Sequence, residues 1–187
     1  MAALRCGLTH VANLEISDII AYWTQNGGAT GNTLGHGLHH WARDVGPEGP
    51  YAASYDAWVA EMLDNRHWRM GLVAQILAGL DDEAFLEGDA TLLDNSLMLV
   101  TSEFSNGSQH HARNQPVLLA GGAGGGLQTG RYLDYNIHAA DDPFTLSYES
   151  NESIHNLFVS ILQLFGQPDT SFGSADATHD GPLPGLL

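Results

Sequence analysis

Two short apolar runs that bracket a polar loop constrain this chain more than any other feature. They are Leu97–Val100 and Val117–Ala120, separated by T-S-E-F-S-N-G-S-Q-H-H-A-R-N-Q-P. Each run is continuously apolar rather than alternating, the pattern of a strand covered on both faces. The expectation is a buried pair within a parallel or mixed sheet. The loop between them carries Glu103, Ser105, Asn106, His110 and His111. Open α/β sheets hold their ligands beyond the carboxyl ends of their strands. A carboxylate there, followed within one loop by two imidazoles, suits ion binding or proton transfer.

With 187 residues, 43% of them hydrophobic, the chain can bury one core. The expected organisation is a single α/β domain over residues 1–173 and a flexible tail over 174–187. The formal net charge is −16, and all six cationic side chains are arginines. Such a surface repels phosphate backbones, which argues against nucleic acid as a partner. A single cysteine, Cys6, excludes an intrachain disulfide and a thiolate metal cluster, so any metal must be held by His, Asp, Glu, Asn or water. No apolar run has the length of a membrane span. The segment M-A-A-L-R-C-G lacks the apolar core of a signal peptide.

Taken in order, H-V-A-N-L-E-I (His10–Ile16) alternates as an entering strand would. A Gly-, Thr- and Asn-rich stretch leads to H-G-L-H-H-W-A-R, His36–Arg43. Ser54 suits the N-cap of a long helix over Tyr55–Leu80, with an apolar stripe of Trp58, Val59, Met62, Met70, Val73, Ile76 and Leu77. Asp81–Leu93 is an acidic connector. Gly121–Gly126 holds five glycines but matches neither nucleotide-binding glycine pattern, so a turn before a short strand near Leu127–Leu133 is expected. The last helix should run from about Ser153 to Phe165, stopped by Gly166 and Pro168.

Ten histidines are present, and six of them group with possible partners. His36, His39 and His40 have i, i+3, i+4 spacing, which would gather three imidazoles on one side of a helical turn as Zn²⁺-type ligands. Gly35 and Gly37 allow a hydrogen-bonded loop instead. Glu103 with His110 and His111 is the strongest group: Glu103 as ligand or general base, a histidine as ligand or proton donor. The competing reading is a carboxylate that caps backbone amides. His155 opens the last helix, where the dipole favours a neutral ring, and either packing or ligation would suit it. Ser102 and Ser105 lack the G-x-S-x-G frame of a serine hydrolase.

The segment L-L-D-N-S-L-M-L-V-T-S-E-F-S-N-G-S-Q-H-H-A-R-N-Q-P-V-L-L-A-G-G-A-G-G-G-L-Q-T-G-R-Y-L-D-Y resembles the C-terminal half of bacterial proteins of domain-of-unknown-function family 1552 and the related family 1501. N-L-F-V-S-I-L-Q-L-F-G-Q-P-D-T-S-F-G is similar to the closing helix of that family, and G-H-G-L-H-H to its upstream histidine-rich segment. The resemblance spans about Thr9 to Gly173. It implies a partial alkaline-phosphatase-like α/β/α sandwich with a mostly parallel sheet and metal ligands on strand-end loops. Glu103 would stand where that superfamily has a strand-end aspartate, His110 or His111 would match a downstream metal-binding histidine, and His36–His40 an upstream ligand group. Two departures stand out. Phe104 follows Glu103 where the superfamily often has Asp-His, and the N-terminal half that supplies its nucleophile has no counterpart here.

The resemblance further implies an exported protein of the periplasm or exterior. Met1 would then be an internal start, and a missing N-terminal half or an oligomer partner would cover the sheet edge. Two functions are expected to compete. One is a metal-dependent phosphate or sulfate ester hydrolase, inactive as this chain alone, with Glu103 and His110 catalytic. Its divalent ion, Zn²⁺ or similar, would be held among Glu103, His110, His111, His36, His39, His40 and His155. The other is a non-catalytic extracytoplasmic module that keeps the fold to bind a glycan or a protein.

Overall fold

The computed structural model describes residues 2–15, 55–105, 110, 112–136, 152–173 and 180–187. They fall into two compact units: Met1–Gly79 with Phe104–Ala112, and Leu80–Glu103 with Arg113–Leu187.

The first unit is helical. A single turn, α1 (Ala2–Arg5), precedes the long helix α2 (Tyr55–Leu80), which has the bounds its sequence pattern predicts. Asp56 lies in the first turn of α2, where a negative charge opposes the positive end of the helix dipole. At the other end the Arg5 guanidinium donates from Nη2 to the Gly79 carbonyl at 2.7 Å, which satisfies one of the acceptors a helix end leaves open. Asn65 and Val73 are buried, while Met70, expected in the apolar stripe, is 47% exposed. At 100° per residue Met70 lies about a quarter turn from the line through Asn65, Arg69 and Val73. The side chain of Trp58, the residue Ser54 and the segment His36–Arg43 lie outside the described residues. Of the strand expected over His10–Ile16, residues 11–15 are exposed and pair with no strand among the described residues.

The second unit holds two two-stranded antiparallel sheets. β1 (Leu86–Glu87) and β2 (Ala90–Thr91) pair across Gly88-Asp89, with Gly88 at φ 67° as such a tight turn requires. Thr91 then starts the short helix α3 (Leu92–Asn95) with a capping box: its hydroxyl accepts from Asp94 N, and the Asp94 carboxylate accepts from Thr91 N at 2.8 Å. β3 (Met98–Val100) and β4 (Leu118–Ala120) pair antiparallel in the register Met98↔Ala120, Leu99↔Leu119, Val100↔Leu118.

The strands therefore form where the apolar runs place them, but the expected mostly parallel α/β/α sandwich is not what they build. A parallel pair needs a crossover that carries the chain back along the sheet, usually on a helix. Here residues 101–117 link the two strands with no helix among those described, and β4 runs antiparallel to β3. The continuous apolar runs were also misleading about burial. Leu97, Leu99, Val117 and Leu119 pack on the core, while Leu118 is exposed, so only alternate residues face inward. Likewise no strand forms near Leu127–Leu133. Leu127 is buried alone and Tyr132 and Leu133 are exposed.

After β4 the glycine run crosses the backbone of α3. Gly122 N donates to Leu93 O and Ala123 N to Ser96 O, both at 3.0 Å. A Cβ on Gly121 would collide with Ser96 O, and one on Gly122 with Asp94 O, so the first two glycines are there for close approach. The 3₁₀ turn Ala123–Gly125 follows, and it buries Ala123.

Ala123, Leu127, Leu157 and Leu186 form the core of this unit. Leu157 comes from the helix α4 (Ile154–Leu164), which Ser153 and Asn156 cap reciprocally. Its C-terminus closes in a Schellman motif: Gln167 N donates to Leu162 O and Gly166 N to Gln163 O, both at 3.0 Å, with Gly166 at φ 75°. Residues 180–187 lie against this helix. Asn156 Nδ2 donates to Gly181 O at 3.0 Å, Leu183 N donates to Ser160 Oγ at 2.7 Å, and Leu186 is 6% exposed. Arg131 donates from Nη1 to Gly185 O at 2.6 Å and from Nη2 to Leu186 O at 2.9 Å, while the Tyr135 hydroxyl donates to Pro184 O at 2.8 Å.

Candidate functional site

The loop from β3 to β4 is tied at its base. The Gln115 amide Nδ-equivalent nitrogen, Nε2, is shared among Ser102 O (2.7 Å), Thr101 Oγ1 (3.1 Å) and Ser102 Oγ (3.2 Å). Thr101 Oγ1 in turn donates to Pro116 O at 3.2 Å. A second tie lies on the returning side, where Asn136 Nδ2 donates to Asn114 Oδ1 at 2.8 Å and Asp134 Oδ1 at 2.7 Å. The loop is thus pinned immediately before Glu103 and again after Arg113.

Glu103 follows this brace directly. It is exposed, and its carboxylate makes no hydrogen bond or ion pair with the described residues. The competing expectation, a carboxylate spent on capping backbone amides, does not describe it. Because the loop joins an antiparallel pair, Glu103 stands at the end of a hairpin rather than along the carboxyl edge of a parallel sheet.

His110 lies in the first unit, exposed, with its backbone in the left-handed region at φ 52°. Its ring stacks on Phe104 at 5.1 Å between centroids and a tilt of 40°. His111, His36, His39 and His40 lie outside the described residues.

His155 sits in the first turn of α4, in the second unit. Its Nδ1 is 2.6 Å from Phe172 O. A carbonyl can only accept, so Nδ1 carries the proton and Nε2 keeps its lone pair when the ring is neutral. Gly173 closes over the same ring: a Cβ there would come within 3.0 Å of His155 Cε1 and Nδ1. Phe158 and Phe172 stack beside it at 4.9 Å. Fixing one ring nitrogen on a carbonyl is also how proteins orient a metal-ligating histidine, so this geometry serves packing and ligation equally.

The donors that suit a divalent ion are thus of the right chemical type, but among the described residues no group of three or more His, Cys, Asp or Glu side chains gathers in a metal-holding arrangement. Among the described residues, too, no helix is long and apolar enough to cross a membrane.

Sequence reasoning missed two features. One is the brace of Gln115, whose partners lie 13 and 14 residues away, a pairing that only the strand register brings about. The other is a polar line on α2, Asn65 and Arg69, where the i, i+4 spacing was visible but the burial was not. No family model, no curated protein and no solved structure matches this chain.

Proposed function

We propose that the β3–β4 loop is the ligand-facing segment of an exported hydrolase-like protein that acts on phosphate or sulfate esters, with Glu103 its central carboxylate. One observation carries the reading: just before Glu103 a single Gln115 amide donates to Ser102 O, Thr101 Oγ1 and Ser102 Oγ, while the carboxylate makes no hydrogen bond or ion pair with the described residues. A side chain fixed at its root and unspent at its head is prepared for something outside the chain. The sequence resemblance supplies the ester class. A divalent ion held at Glu103 would polarise an ester oxygen. On this reading the chain binds but does not turn over ester by itself, because no nucleophile paired with a base is in place among the described residues.

A second reading, a glycan-binding module without catalysis, draws on the ring pair of half-buried Phe104 and exposed His110, since aromatic faces bind sugar rings. Zinc titration of the purified chain separates the two. The hydrolase-like reading expects saturable binding that Glu103→Ala removes and Phe104→Ala leaves intact. Oligosaccharide binding lost in Phe104→Ala, with no zinc bound, would favour the module.

A further inference from the structure

Helix α2 carries a polar site that the hydrolase-like reading does not use. Asn65 is 7% exposed, and its Oδ1 is buried with no hydrogen-bond partner. Four residues on, the Nε of half-buried Arg69 is likewise buried and unpaired. Residues at i and i+4 share one helix face, and helical side chains lean toward the N-terminus, so Arg69 extends over Asn65. Burying a polar atom without a partner is costly, which makes two of them on one face a feature to be explained.

The charge is unusual as well. Among the described residues Arg69, one of six arginines set against 22 acidic residues in the chain, has no acidic partner. Burial lowers its pKa and the neighbouring Arg66 lowers it further, so two like charges stand together uncompensated. An anion would relieve both effects. A plain anion, however, offers only acceptors. It would satisfy Arg69 Nε–H and leave Asn65 Oδ1 orphaned, because a carboxamide oxygen needs a donor. Hydrogen phosphate both accepts and donates near neutral pH, whereas sulfate only accepts.

We propose that Asn65, Arg69 and Arg66 form an oxyanion site on α2 that takes inorganic hydrogen phosphate in preference to sulfate. Arg69 pairs with the phosphate oxygens through its guanidinium edge, Asn65 Oδ1 accepts the phosphate O–H, and exposed Arg66 adds charge from one turn away. No covalent step is involved. The site shares no residue with the Glu103 loop.

Isothermal titration of the full chain with inorganic phosphate and, separately, with sulfate at equal ionic strength tests this. Saturable phosphate binding is expected, with sulfate weaker by about tenfold, as one unsatisfied hydrogen bond would produce. Arg69→Met should weaken phosphate about tenfold or more, and Arg69→Lys less. Thermal unfolding of the wild-type protein gives a second readout that no variant's folding can spoil: phosphate should raise its midpoint more than sulfate does. Absence of saturable phosphate binding, equal response to sulfate, or unchanged affinity in Arg69→Met would overturn the proposal.

Discussion

The Ser160 hydroxyl joins α4 to the C-terminal segment: fully buried, it accepts from Leu183 N at 2.7 Å while donating to Asn156 O at 3.0 Å. Asn156 O also accepts from Leu183 N at 3.1 Å, and Asn156 Nδ2 reaches Gly181 O. Backbone polar groups of a strap that has no strand or helix partner are satisfied here by two side chains of one helix face.

Ser160→Ala should therefore cost more than a surface serine would. Removing the hydroxyl weakens the hold on Leu183 N in a buried place and should lower stability by about 1–3 kcal/mol. Urea unfolding of the two proteins measures it, and a change within error would show that the strap is not held through this group.

Leu186→Ala removes the strap's contribution to the core with Ala123, Leu127 and Leu157. The expected loss is about 2–4 kcal/mol, since a truncated core leucine leaves a cavity as well as losing its transfer energy. Leu187→Ala, at an exposed neighbour, should change stability by less than about 0.5 kcal/mol in the same assay.

Two glycines of the same run should respond differently to alanine. At Gly121, φ 105° and the clash with Ser96 O act together, and a loss of about 3 kcal/mol or more is expected. Gly124, at φ 66° with open space around its missing Cβ, should lose only about 1–2 kcal/mol from backbone strain. Similar losses at both sites would show that the approach to α3 is not what selects glycine.

Tyr135 makes stability depend on alkaline pH. Burial raises the pKa of its phenol first and Glu152 raises it further, while Arg131 pulls the other way. The folded chain then holds this proton more tightly than the unfolded chain, whose phenol titrates near 10. The contribution is complete below that value and is lost as pH rises through the higher folded value. Unfolding midpoints should fall more steeply above about pH 10 in wild type than in Tyr135→Phe. Parallel pH profiles would contradict this.

How far the sequence carried this account depended on how local each signal was. The bounds of α2, the Ser153 cap and the Gly166 stop of α4 were legible because caps and helical periodicity act within a few residues. Both apolar runs at Leu97–Val100 and Val117–Ala120 marked strands, but pairing direction is set by the path of the chain between them. Continuous apolarity at Met98 and Leu118 suggested two covered faces where one exists. Gly121 and Gly122 read as a flexible turn because nothing in G-G-A-G-G-G announces that α3 passes beneath them. The docking of 180–187 was hidden for a related reason: its Gly-Pro-rich composition resembles a loose end, and its anchors, Asn156 and Ser160, read as ordinary helix residues. At the candidate site, the place of Glu103 just after the first apolar run was legible, whereas the Gln115 brace depended on register.

The brace gives the loop its own test. Gln115→Ala should speed amide hydrogen exchange through residues 101–105 and weaken any zinc binding by Glu103, while lowering global stability by only about 0.5–1.5 kcal/mol. Unaltered exchange in that stretch would mean the loop is ordered by something else.

The most direct test of the central claim is the zinc content of the purified chain after equilibrium dialysis, compared between wild type and Glu103→Gln. That substitution removes the charge and keeps the shape. About one equivalent retained by the wild-type chain and lost in the variant is the predicted result. Equal zinc in both proteins, or none in either, would contradict a ligand role for Glu103.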